Sequence, residues 1–367
     1  MKKRIFIPTP ICIDQENFKF ASKAVSAQPL FARPQYKLVW GFTIAFVLFF
    51  VGCQGQQKSG GFKGNLLLSV DFKPDVPLKY NFVCERQIAL DLDPSHKNSK
   101  GEKGRGGSQN MAEKLEMEIV YKPVEIDPYG YSTIEATCNS AKVTRTAVSS
   151  RGQAKGDAVE SAVGKSFTLK ITPTGKIVDY TSLESLVKEL GNRAFADSSR
   201  GRIKDSDMIM DFLATQWYIW DSVSSIKEPL KGVKKGQKWN SQLLAPMPFV
   251  SKVGRDVEYK FAGVIEEGGV SLAEITSSYK LSRLLPAAPL PYSGSFQMRG
   301  TFGFLRGYKV LSIEGSGREL YDIERGIIKS DIQQYQAKVG ASIFGLGSDT
   351  IEPNIEINQT ITMTLAE

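Results

Sequence analysis

The stretch Leu78-Lys79-Tyr80-Asn81-Phe82-Val83-Cys84-Glu85-Arg86-Gln87-Ile88-Ala89-Leu90-Asp91-Leu92 decides the fold class. Leu78, Tyr80, Phe82 and Cys84, then Ile88, Leu90 and Leu92, recur with period two. Successive side chains of a strand point to opposite faces, so this pattern predicts a strand with one buried face. The same signal returns downstream. Residues 114–148 read as two or three strands around the turn cluster Asp127-Pro128-Tyr129-Gly130. Phe167, Leu169 and Ile171 alternate, Pro173-Thr174-Gly175-Lys176 turns, and Ile177-Val178 returns, which is a hairpin. Strands dominate again from Trp239 to the end, over Val257–Val264, Val270–Tyr279, Gly294–Phe304, Lys309–Glu314, Glu319–Ser330 and Ile355–Leu365. Pro286, Pro289 and Pro291 form a stiff connector.

Two helices interrupt this pattern. Thr181-Ser182-Leu183-Glu184 has the form of a capping box, and Leu183, Leu186, Val187 and Leu190 share one face up to Gly191, a C-terminal stop. A second helix, 206–222, carries Ile209, Phe212, Leu213, Trp217 and Trp220 on its apolar stripe. The expected fold is therefore α+β and β-rich: curved antiparallel sheets, with two short helices packed on a concave face. The strand–turn–strand shape of Phe167–Val178 is echoed around Gly326. The echo leaves open two related β lobes, 75–180 and 226–367, joined by a helical connector over 181–225.

Composition narrows the chemistry. The chain has 367 residues and a net charge of +8, with 47 basic and 39 acidic side chains. Residues 1–52 hold seven basic and two acidic ones, so the remainder keeps 40 basic against 37 acidic, only +3. A nearly neutral body gives little drive toward phosphate, and nucleic acid is not an expected partner. The only histidine, His96, lies in a polar, glycine-rich loop over 94–110, which argues against histidine-based catalysis. Gly315-Ser316-Gly317-Arg318 lacks the strand–loop–helix context of a phosphate loop, and no cofactor motif is present.

The N-terminal segment carries the strongest functional signal. Arg33 and Lys37 precede an apolar run of 15 residues, Leu38 to Gly52, followed at once by Cys53 and the polar stretch Gln54-Gly55-Gln56-Gln57-Lys58-Ser59-Gly60-Gly61. A spanning helix needs about 20 apolar residues, and a signal-peptide core fewer. An uncleaved anchor helix in the inner membrane, or a buried helix, stays open on length alone. A small residue, then Cys, then a polar linker resembles the lipobox of bacterial lipoproteins, a match covering residues 33–55. The resemblance implies cleavage between Gly52 and Cys53 and acylation of Cys53. It further implies attachment to a membrane of the cell envelope. Gln54, in place of Asp, is similar to the outer-membrane sorting pattern, with the body facing the periplasm. Residues 53–74 then read as a flexible tether, and 1–52 as extension and signal. The body resembles the uncharacterised β-rich envelope lipoproteins of bacteria, a likeness that implies no activity.

Three functional classes follow. The first is a non-enzymatic, membrane-tethered binding or scaffold module for an unidentified protein or apolar ligand. The second is a lipid or apolar-ligand carrier with Trp217 and Trp220 lining its pocket. The third is a hydrolase or metal-dependent enzyme built on Asp205, Asp207 and Asp211, of which Asp207 and Asp211 share a helix face at i, i+4. Helix-terminal Asp also suits the macrodipole, with Arg200, Arg202 and Lys204 alongside, so capping is the preferred reading of the cluster. Cys84 and Cys138 are the thiols that remain once Cys53 is acylated and Cys12 removed. In an oxidising envelope they would pair if their strands were neighbours, and would otherwise be two buried apolar thiols.

Overall fold

The period-two stretch is strand β1 (Leu78–Asp91) in a computed structural model. The structure describes residues 64–92, 109–146, 156–198, 201–204, 207–248, 253–285, 297–298, 305–342 and 352–366. Strand β1 buries every second side chain from Leu78 to Leu90 and exposes most of those between. Each fully buried Leu, Ile or Phe on that face contributes about 1.5–3 kcal/mol, which fixes the register. Cys53, residues 38–52, His96, Asp205 and the Pro286–Pro291 connector lie outside the described residues, as does most of Gly294–Phe304.

The chain continues through β2 (Gln109–Ile126), β3 (Ser132–Thr146), β4 (Ser166–Ile171) and β5 (Ile177–Asp179), an antiparallel meander running outward from β1. Next come α1 (Thr181–Arg193), the short β6 (Phe195–Ser198) and β7 (Gly201–Lys204), α2 (Ile209–Tyr218) and α3 (Asp221–Ser224). A second meander follows through β8 (Lys238–Leu244), β9 (Gly254–Glu267) and β10 (Val270–Leu281). After β11 (Gln297–Met298) it resumes with β12 (Arg306–Asp322), β13 (Ile327–Ser342) and β14 (Asn354–Leu365). Strands β6, β7 and β11 form a separate small sheet. The other eleven make one antiparallel sheet, β5-β4-β3-β2-β1-β14-β13-β12-β10-β9-β8. Strands β1 and β14 pair from Tyr80↔Leu365 to Asp91↔Asn354, so both sheet-rich stretches share this sheet along that seam.

The sheet edges, β5 and β8, are linked at one end by residues 64–73. Leu66 exchanges backbone hydrogen bonds with Val233, just before β8, at 2.9 and 2.7 Å. The Val70 N–H donates to the Pro173 carbonyl, in the turn before β5, at 3.1 Å. Leu66 and Val70 can lie at most about 14 Å apart, so this strap ties the two edge regions to closely spaced points of one short segment. It buries Leu66, Leu68, Val70 and Phe72, although the sequence reads here as tether. Two turn glycines seat it. Gly175 and Gly326 both have positive φ, and a Cβ on either would lie 2.6–2.7 Å from a strap atom, Val70 Cγ2 or Asp71 Cβ.

Helix α1 appears where its apolar stripe predicts, but its ends differ from the expectation. Asp179, not Thr181, makes the N-terminal side-chain bond, accepting from the Thr181 N–H and hydroxyl at 2.9 Å each. Gly191 is a buried position inside the helix, which runs on to Arg193. The second expected helix is shorter, beginning at Ile209 and breaking before the single turn α3. The stretch Glu319–Ser330 is not a single strand but the hairpin corner between β12 and β13, with Gly326 in its turn, the strand–turn–strand shape that the echo of Phe167–Val178 places there.

Candidate functional site

Position 86 breaks the apolar alternation of β1. Arg86 faces the buried side, and the cross-strand register extends from it in both directions. Arg145 on β3 pairs with Glu113 on β2, Glu113 with Arg86, Arg86 with Gln359 on β14, Gln359 with Tyr335 on β13, Tyr335 with Gly315 on β12, and Gly315 with Tyr279 on β10. These residues form one row across seven adjacent strands. The Arg145 Nε donates to Glu113 at 2.8 Å, and Arg86 Nη2 donates to the other Glu113 oxygen at 2.6 Å. Asp211 on α2 then sits over the seam: Arg86 Nη1 donates to it at 3.2 Å and Gln359 Nε2 at 2.7 Å. Tyr121 on β2 donates to Gln216 on α2 at 2.7 Å. Together these contacts lock α2 to the sheet.

Beside the far end of the row lies a third cation. Arg255 on β9 is fully buried, with its guanidinium 4.0 Å from the Tyr218 ring centroid, 4.4 Å from Tyr279 and 5.6 Å from Tyr335. Gly315 and Gly317 make room for this cage. A Cβ at Gly315 would lie 2.6 Å from Tyr335 Cβ and 2.2 Å from the Gln334 carbonyl, and one at Gly317 2.3 Å from the Tyr279 hydroxyl. The Gly-x-Gly that resembles no complete phosphate loop is therefore a pair of inward strand positions left empty for two tyrosines. Arg255 Nη2 donates to Gln333 at 2.7 Å. Arg255 Nε and Nη1, the Tyr335 hydroxyl and Gln359 Oε1 have no hydrogen-bond partner among the described residues.

Electrostatics follows from burial and pairing. Burial opposes the charge of Glu113, but Arg86 and Arg145 prevail and hold its carboxyl below the usual range. Burial raises Asp211, with Arg86 pulling back. Three further buried carboxyls are Asp221, which opens α3, Glu319 on β12 and Asp331 on β13. Asp221 accepts from Tyr259 and Ser241 at 2.8 Å each, Glu319 from Ser222 at 2.6 Å, and Asp331 from Gln333 at 2.5 Å. Burial pushes Asp221 up to about 6 and raises the cross-strand neighbours Glu319 and Asp331, whose charges repel.

The sequence-derived candidates separate. Asp211 belongs to the Arg86 pair, while Asp207 accepts from the Ile209 N–H at 3.2 Å at the start of α2. Among the described residues, no group of three or more His, Cys, Asp or Glu is placed to hold a metal ion. Trp220 is core, edge-on to Tyr121 at 5.5 Å and Phe72 at 5.7 Å, and the half-buried Trp217 meets Tyr180 at 5.3 Å. The two rings therefore pack on different aromatic partners. Cys84 and Cys138 are buried and free. Strand β2 lies between β1 and β3, so their strands stand about 9.6 Å apart, beyond disulfide reach. The alternative of two buried apolar thiols is the one the fold shows.

The opposite face of the sheet is open. Directly behind the polar row lies a groove of ≈ 440 Å³, lined from β1 by Glu85 and Gln87, from β12 by Glu314 and Ser316, from β13 by Gln334 and Gln336, and from β14 by Asn358 and Thr360. These are the outward neighbours of Arg86, Gly315, Tyr335 and Gln359. No reading of the sequence singled them out. The signal was present as polar side chains alternating with buried ones on four separate strands, but only the pairing register assembles them.

No family model and no curated protein matches the chain. Among solved structures, a lipovitellin structure concerned with lipid–protein interactions is similar over 81% of this chain and 26% of that one. Its identity is 13% and its TM-score 0.41. An outer membrane channel from Pseudomonas putida F1 is similar over 81% of this chain and 97% of that one, at 7% identity and a TM-score of 0.16. A Rh. blastica porin mutant gives 7% identity and a TM-score of 0.14, over 79% of this chain and 99% of that one. These scores carry no argument about activity. Among the described residues, no helix is long and apolar enough to cross a membrane.

Proposed function

We propose that this chain is a non-enzymatic binding module of the bacterial envelope, held to a membrane through Cys53 and presenting the groove over β1, β14, β13 and β12 to a hydroxyl-rich ligand. The groove carries the reading: amide, hydroxyl and carboxylate side chains stand at strand spacing on an open face. The opposite face is filled by α2, α3 and their buried ion pairs, which favours the curved arrangement with the helices on its concave side. The carboxylates there are spent on Arg86, Arg145 and neighbouring hydroxyls, an arrangement suited to holding a fold. The carrier alternative is the less favoured reading, because Trp220, one of its two pocket candidates, is packed in the core.

The anchor reading is supported by the lipobox-like residues and by the strap, which ties the first described residues to one end of the sheet. Titration calorimetry of soluble cell-wall glycan fragments against the purified protein tests the ligand reading. Binding is expected to weaken strongly in Gln334→Ala/Asn358→Ala with the melting temperature unchanged. No heat of binding in the parent protein, or equal affinity in the variant, would refute it.

A further inference from the structure

The strap end of the sheet carries an unusual loop. Between Lys227 and Lys238 stand five lysines (Lys227, Lys231, Lys234, Lys235 and Lys238) against one acid, Glu228. At its tip Leu230 is 93% exposed on the 3-10 turn Pro229–Lys231. Lys231 is neutralised by Glu228 and Lys238 by Glu258, each at 2.7 Å. Lys234 and Lys235 are exposed, with no carboxylate partner among the described residues. Isolated exposed leucines are common and mean little alone. This one is fixed to the point where the chain enters the body. Asn65 Nδ2 donates to the Lys231 carbonyl at 2.6 Å, and the Leu66–Val233 bridge follows. Gly232 has φ +65, and a Cβ there would lie 2.8 Å from the Leu66 carbonyl oxygen, so loop and entry point are seated on each other.

We propose that this loop docks the body on an anionic lipid surface, with Leu230 entering the headgroup region and Lys234 and Lys235 on lipid phosphates. The inference rests on the anchor reading. Cys53 precedes Gly64 by eleven residues, a contour of at most about 40 Å, so an acylated Cys53 would hold the strap within that distance of the membrane. An apolar tip flanked by lysines combines burial of hydrocarbon with attraction to acidic headgroups. The exposed groove residues of β13 and β14 would then remain available to a ligand.

The test uses the full chain purified from membranes and placed in vesicles of phosphatidylethanolamine with phosphatidylglycerol. An environment-sensitive fluorophore is attached at Leu230→Cys or, as the control on the sheet face, at Leu311→Cys, with the parent protein labelled as the blank. Emission at position 230 is expected to shift to the blue and to be quenched by doxyl-labelled lipid. Position 311 is expected to do neither, and Lys234→Gln/Lys235→Gln is expected to reduce the quenching at 230. Quenching at 230 no stronger than at 311, or unchanged by the lysine substitutions, overturns the docking proposal. The mass of the N-terminal peptide from the same preparation reports acylation of Cys53 separately. An unacylated peptide refutes the anchor reading, and the contrast between 230 and 311 still decides the docking.

Discussion

Arg86 on β1 and Asp211 on α2 are 125 residues apart in sequence and 3.2 Å apart in the fold, both withdrawn from water. Burying two charges costs several kcal/mol each, offset here because Glu113 and Gln359 complete the hydrogen bonding. The pair binds the helix to the seam where the first and last strands of the sheet meet.

Breaking that pair exposes its worth. Arg86→Met leaves Asp211 buried without a cation and is expected to destabilise the protein by about 3–5 kcal/mol. Arg86→Met/Asp211→Leu is expected to recover much of that loss. Urea unfolding of both single variants and the double variant checks the coupling, and strictly additive effects would show that the two residues do not interact.

The buried carboxyls Asp221, Glu319 and Asp331 give a pH dependence of unusual sign. Burial raises Asp221, Glu319 and Asp331 above their unfolded values near 4. Between about pH 4 and neutrality the folded state therefore binds more protons than the unfolded state, so their contribution to stability falls as pH rises. Thermal melts are expected to show a higher midpoint at pH 5.5 than at pH 8, the window of about 4–8 set by these shifts. Asp331→Asn is expected to flatten the slope, and a parent midpoint that rises with pH would contradict this.

Gly315→Ala places a methyl against the Gln334 carbonyl and Tyr335 Cβ, both backbone-proximal atoms that cannot swing away. A loss of about 1–3 kcal/mol is expected from overpacking. Ser316→Ala, on the opposite face, is expected to change stability by less than about 0.5 kcal/mol. Differential scanning calorimetry of both variants distinguishes them.

Cys84 and Cys138 are expected to resist thiol reagents at pH 8 in the folded protein and to react in denaturant. Burial pushes the Cys138 thiol up to about 11, and burial with the Asp211 charge raises Cys84 well above the usual thiol range. A reductant is expected to leave the melting temperature unchanged. A reductant-sensitive melt would show that the two thiols pair.

Strand β1 was legible because seven apolar residues with period two leave few alternatives, and the 172–176 turn because Pro and Gly occupy its turn positions. The polar row was not, because its members come from separate strands and only the register aligns them. One clue was local. Arg86 occupies an apolar-face position, and a charge there requires a buried partner. Asp211 looked like a cap or metal ligand for the converse reason, since a helix-start Asp has a sufficient local explanation. Gly315 and Gly317 resembled an incomplete nucleotide motif, yet their period of two already marked one face of a strand. Asp179 replaced Thr181 as the helix-start acceptor because it lies two residues ahead of the donors it meets.

The most direct test of membrane tethering is metabolic labelling with a clickable fatty acid, followed by gel detection of the parent protein and of Cys53→Ser. The account predicts a labelled parent band and an unlabelled variant expressed at a comparable level. Equal labelling of both, or an unlabelled parent that still fractionates with membranes, would contradict attachment through Cys53.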